Sequence, residues 1–131
     1  MNEEVADLWT RAKRALQTGE SLIESDPDAA ASRAYYAAFY GVSALFAFEG
    51  KTFGKHSAVE SAVHRDLVRV GKITPEVGAA YSALVDLRNT GDYGGKAHVG
   101  SEAAHEAVKK ARVVLNAVRQ VSPEPLPPVD V

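Results

Sequence analysis

The chain has 131 residues, 46% of them hydrophobic, no cysteine and a formal net charge of −2. That length suits one domain with a short tail. The missing cysteine excludes disulfides, thiolate zinc sites and cysteine nucleophiles and suits a reducing cytoplasm, while the near-neutral charge removes any bulk electrostatic case for nucleic acid.

Five helices are predicted. The first covers about Glu3 to Glu24, with Val5, Leu8, Trp9, Ala12, Leu16, Leu22 and Ile23 in one stripe, interrupted by Gly19, where a break is possible. The acidic start has no apolar core, so no signal peptide is expected. Asp26 reads as a cap, with Pro27 where a first helical residue tolerates proline. The second helix runs from about Asp28 to Phe48. Its Ser32-Arg-Ala-Tyr-Tyr-Ala-Ala-Phe-Tyr40 stretch packs aromatic rings between alanines. Tyr36 and Tyr40 share one face, Tyr35 and Phe39 the next. The apolar run from Ala34 to Phe48 is too short to span a bilayer and reads as a buried core helix.

A loop over Lys51 to Lys55 leads to a third helix, announced by the capping box Ser57-Ala-Val-Glu60. Val59, Val63, Leu67 and Val70 form its stripe, and Gly71 ends it. Thr74 and Pro75 open the fourth, with Val77, Ala80, Tyr81, Leu84 and Leu87 facing the core. Gly91 to Gly100 reads as a loop or a frayed helix end. The fifth follows Ser101, with Ala104, Val108, Ala111, Leu115 and Val118 inward. The fold class is all-α: an antiparallel four-helix bundle with an additional short helix over residues 1–121. Pro123, Pro125, Pro127 and Pro128 make residues 122–131 an extended or disordered tail.

Charge is uneven along the chain. Lys51, Lys55, Arg65, Arg69 and Lys72 outweigh Glu60 and Asp66, which describes either a local basic surface or an ordinary solvated face. Arg88 sits at the edge of the apolar stripe and needs acceptors for a charge it never loses. Asp92, four residues on, supplies one if the helix continues, and Tyr93 follows as glycines open the backbone. These three residues form either a site at a helix end or an ion pair that closes the helix with Tyr93 as a plug. Lys55 and His56, just ahead of the third helix, form either an anion site or polar surface. His98 could swing toward Arg88. The histidines lack metal-site spacing, so no metal and no cofactor is expected, and no Walker loop, dinucleotide fingerprint or nucleophile elbow is present.

Ser32–Tyr40, Lys55-His56-Ser57 and Asp86-Leu-Arg88 through Asp92-Tyr93-Gly94 fall in the order seen in the HEPN superfamily, and the chain resembles its small prokaryotic branch over about residues 5 to 120. The resemblance implies a cytoplasmic helical homodimer that acts with a nucleotidyltransferase partner in a toxin–antitoxin-type module. Many members are metal-independent ribonucleases; others bind nucleotides or RNA. The active pattern is an arginine, four to six residues, then a histidine. Arg88 matches the arginine, but Tyr93 stands five positions on and neither Gly94 nor Gly95 is histidine. A histidine with pKa near ~6.5 suits proton transfer better than a tyrosine near ~10 or an aspartate near ~3.9. The leading expectation is therefore a nucleotide- or RNA-binding component with an incomplete nuclease motif, its site made by Arg88, Asp92 and Tyr93 with Lys55 and His56 as further anion contacts. The alternatives are an active endoribonuclease toxin using Arg88, and a purely structural helical dimer.

Overall fold

Short polar residues start the long helices, each accepting an otherwise unpaired backbone N–H. Asn2 accepts from Val5 at 2.9 Å, Asp26 from Ala29 at 3.2 Å and Thr74 from Val77 at 3.3 Å. Pro27 and Pro75 follow two of these caps, where a missing N–H costs nothing. The computed structural model describes residues 1–129. Within them the fold is all-helical: α1 (Glu3–Leu22), α2 (Pro27–Ala47), α3 (His56–Ala62) running on as a π-helical stretch over Val63–Val68, α4 (Pro75–Tyr93) and α5 (Ser101–Val121).

α2 is the central element and packs against α1, α3, α4 and α5. Its alanines explain why. Ala30, Ala31, Ala34, Ala37 and Ala38 are all fully buried, and their small side chains let neighbouring helices approach on several sides. Trp9, Tyr35, Phe46 and Tyr81 are the largest side chains sealed in the core. Phe39 is only partly buried and packs on the edge of that core.

Three local expectations are corrected. α1 does not break at Gly19, because the residue is buried against α2: a Cβ there would lie 3.2 Å from the Ala30 carbonyl oxygen. Close packing outweighs the helix cost of glycine, about 1 kcal/mol. The capping box at Ser57 does not form. Lys55 holds the N-cap position with no side-chain cap, and the Glu60 carboxylate accepts the Ser82 hydroxyl of α4 at 2.8 Å instead. Val70 leaves the apolar stripe and is 62% exposed. The widened turn is the cause: the Arg69 N–H donates to the His64 carbonyl five residues back at 2.9 Å, which rotates the register so that Ile73 rather than Val70 reaches the core.

After α5 the chain continues without helix along the bundle. The Trp9 indole N–H donates to the Pro127 carbonyl at 2.9 Å, Arg119 Nε donates to the Leu126 carbonyl at 3.1 Å, and Leu126 and Val129 are buried. Residues 130–131 of the tail lie outside the described residues.

Candidate anion-binding site

α4 does not fray at Gly91 but runs on to Tyr93, and this extra turn builds the site. Glycine is required there because the end of α4 rests on the start of α2. A Cβ on Gly91 would come within 2.8 Å of the Asp28 carbonyl oxygen. That contact sets the last turn of α4 against the aromatic face of α2.

Arg88 projects from α4 into this junction, its side chain only 15% exposed. Its guanidinium carbon lies 5.2 Å from the Tyr35 ring, 5.7 Å from Tyr36 and 5.3 Å from Tyr93, all within cation–π reach. Nη2 donates to the Tyr36 hydroxyl at 3.3 Å and Nη1 reaches the Asn89 carboxamide oxygen at 3.5 Å. Asp92 Oδ2 lies 3.3 Å from Nε and accepts the Ser32 hydroxyl at 3.2 Å. Nε itself is buried with no aligned acceptor among the described residues. A guanidinium carries five N–H donors, and the protein's own acceptors leave part of that fork unused.

His56 comes to the same place from the start of α3. Its ring lies 4.4 Å from Phe39, 5.6 Å from Tyr36 and 5.9 Å from Tyr35. Burial, and then the nearby positive charge of Arg88, push its pKa below the ordinary 6.5. The imidazole is therefore neutral at pH 7 and free to accept a proton or a hydrogen bond. Arg88 and His56 line one cavity of about 280 Å³ with Tyr35, Ser57, Glu60 and Asn89. Glu60 is the carboxylate in this wall, and Ser82 holds it; Ser82 in turn pairs with His64 Nε2 at 2.8 Å. The Tyr81 hydroxyl is buried close to Tyr35, whose ring lies 6.1 Å from its own, and burial raises its pKa strongly.

The family model described as HEPN domain matches residues 5–121. The chain belongs to the HEPN domain family. A UPF0332 protein of Thermotoga maritima is 35% identical over 91% of this chain and 92% of its own length. A protein of Methanocaldococcus jannaschii named "Putative toxin MJ0142" is 27% identical over 89% of this chain and 80% of its own length. A UPF0332 protein of Gloeobacter violaceus is 33% identical over 72% of this chain and 76% of its own length.

In this HEPN domain the structure brings Arg88, Asp92, Tyr93 and His56 to one end of α4. Tyr93 is not a plug: it is 71% exposed, with its ring beside the guanidinium. Lys55 stays exposed on the helix start and does not line the cavity. His98 turns away from Arg88 and pairs with Asp28 at 2.7 Å, while the other Asp28 oxygen accepts the Val99 N–H at 2.7 Å. The basic run of residues 51–72 is an ordinary paired surface in part, with Arg65 on Asp66 at 2.9 Å and Lys51 and Lys72 both on Glu49. Sequence reasoning missed Ser32, Ser57, Glu60 and Asn89 as neighbours of the site. Ser32 and Tyr36, one turn apart on α2, carried the available signal, since both face α4. Among the described residues no His, Asp or Glu cluster is arranged to hold a metal, and no helix is long and apolar enough to cross a membrane.

Proposed function

We propose that this HEPN protein binds the phosphate of a nucleotide or RNA in the cleft between Arg88 and His56, and that it does so as the toxin-like half of a two-component module. One observation carries this reading: a guanidinium with spare donors and a neutral imidazole, from different helices, open into one cavity of about 280 Å³. Small-molecule pockets start at about 300 Å³, so the space suits a phosphate with part of its nucleoside. Ser57 and Asn89 offer hydrogen bonds at the wall. The name of the Methanocaldococcus relative, "Putative toxin MJ0142", supports the toxin-like role. A homodimer and a nucleotidyltransferase-type partner complete the module on the family resemblance. Calorimetric titration with a 5′-phosphorylated adenine dinucleotide tests the cleft. Binding that Arg88→Ala abolishes is the expected result; no heat with the folded wild-type protein would refute it.

The neutral state of His56 favours a second reading, metal-independent RNA cleavage. His56 would take the proton from a 2′-hydroxyl as that oxygen attacks phosphorus. The bond to the 5′-oxygen then breaks, a 2′,3′-cyclic phosphate forms, and the leaving oxygen takes a proton from water. Arg88 would stabilise the extra negative charge on the phosphorane. Intact RNA after long incubation with wild-type protein would reject this reading and leave the binding reading in place.

A further inference from the structure

A second positively charged concavity lies on the opposite flank of the α2 aromatic face. Arg11 and Arg14 of α1 and Arg33 of α2 converge with Thr10, Thr18 and Tyr40 on a groove of about 340 Å³ between the two helices. On α1 these positions follow the helical repeat, so Arg11, Arg14 and Thr18 lie along one stripe. On α2, Arg33 and Tyr40 are two turns apart on the facing stripe. The groove also holds Asp7, whose carboxylate pairs with Arg11 Nε at 2.9 Å. Arg14 and Arg33 make no ion pair among the described residues. Three guanidinium groups against one carboxylate is a local excess of positive charge in a chain whose net charge is −2. Elsewhere several cations sit on carboxylates, as on Glu49, Asp66 and Glu20.

Two rings lie between the groove and the Arg88 cleft. Arg33 lies 4.7 Å from the Tyr36 ring, and Arg88 lies 5.7 Å from the same ring. The Tyr36 and Tyr40 rings are 5.9 Å apart. Guanidinium groups and rings therefore lie side by side from the groove to the cleft: Arg11 beside Tyr40, Tyr40 beside Tyr36, and Arg33 and Arg88 both against Tyr36. That mixture of cations and rings matches a single-stranded nucleic acid, which combines phosphates with bases able to stack on any π face. It does not match a double helix, whose bases are unavailable for stacking.

We propose that the Arg11–Arg14–Arg33 groove is a second phosphate subsite, which binds the backbone of a single-stranded RNA continuing out of the Arg88 cleft. This rests on the reading of the Arg88 cleft as an RNA-phosphate site. The groove supplies affinity and register, and the cleft holds the phosphate nearest His56.

The test compares two probes on the intact protein: a fluorescent 2′-O-methyl octaadenylate, which cannot be cleaved through its 2′-oxygen, and the 5′-phosphorylated dinucleotide, which fills only the cleft. Each phosphate contact adds about 0.7 to the slope of log affinity against log salt for a single strand. The Arg14→Ala/Arg33→Ala double variant should lower the octamer slope by about 1 to 1.5 and weaken octamer binding roughly tenfold at ~0.1 M salt, with the dinucleotide unchanged. Because Arg33 also leans on Tyr36, Arg14→Glu repeats the test without touching that ring; circular dichroism confirms the fold of each. Equal octamer affinity and slope in wild type and variants overturn the groove, and dinucleotide binding lost in Arg88→Ala would show the cleft reading still standing. Equal weakening of dinucleotide and octamer overturns the groove as a separate subsite. A wild-type protein that binds the dinucleotide but not the octamer overturns the groove alone; one that binds neither overturns both readings.

Discussion

Arg88 of α4 and His56 of α3 line the same cavity, and the positive charge of the first helps hold the second neutral. The two residues belong to motifs far apart in the chain, and α2 is what joins them. Tyr36 accepts a hydrogen bond from Arg88, and its ring lies beside that of His56. Phosphate binding and proton transfer need these two kinds of group within reach of one another.

The pair predicts a pH profile if RNA is cleaved. The folded protein holds the His56 proton less tightly than an unfolded chain, whose ordinary value is 6.5. Cleavage should rise with pH through a midpoint below 6.5 and then level off, because the neutral imidazole is the working form. His56→Ala should remove that limb and slow cleavage by about 10²- to 10⁴-fold. Quench-flow or gel assays between pH 4.5 and 8 read both. An unchanged profile in His56→Ala would assign the proton transfer elsewhere.

Core substitutions separate the centre of the bundle from its aromatic edge. Phe46 is 1% exposed, and Phe46→Ala should cost about 3–5 kcal/mol in urea unfolding. Phe39 is only partly buried, so Phe39→Ala should cost less, about 1–2 kcal/mol. The sequence alone suggests the larger cost for Phe39 if that ring were central, and its position beside His56 on the rim corrects this. Equal losses from both variants would contradict the burial difference.

Asp28 links the loop after α4 to α2 and gives the fold an acid-sensitive tie. The Val99 N–H, then His98, hold its carboxyl below its ordinary 3.8. A carboxyl lowered on folding contributes stability that is present above the unfolded value and is lost as pH falls through the folded one. Wild-type protein should therefore lose stability below about pH 4 more steeply than Asp28→Asn. Urea midpoints measured from pH 2 to 6 check this, and parallel curves would exclude the tie.

Trp9 reports on the tail. It is the only tryptophan in the chain, it is 2% exposed, and its indole donates to the Pro127 carbonyl. Deleting residues 123–131 should shift its fluorescence to the red and cost about 1–3 kcal/mol, the burial of Leu126 and Val129 less the entropy of ordering the segment. An unmoved emission maximum would show that the tail does not cover the ring in solution.

The helices were legible because their signals are local. Asp26 before Pro27, Thr74 before Pro75 and the apolar stripes of α1 and α5 act over one or two turns, and all are realised. Most expectations that failed involve competition with a distant partner, whereas Val70 left the stripe through the local widened turn. Glu60 was free to cap α3 until Ser82 offered a better bond, and Gly19 was free to break α1 until α2 pressed against it. His98 found Asp28 rather than Arg88 because the loop after α4 folds back on the start of α2.

The amino-acid sequence by itself determined an all-helical chain, a helix of alanines and aromatic rings at its centre, and an arginine near the end of α4 with an aspartate one turn on. Helical periodicity and capping are short-range, so they are written in neighbouring residues. Only the tertiary structure decided that His56 lines one cavity with Arg88, and that Arg14 and Arg33 line one groove between α1 and α2. Those pairings depend on how far each helix rotates and how closely it packs. That is fixed by small residues such as Gly19 and Gly91, whose consequences appear only once two helices touch.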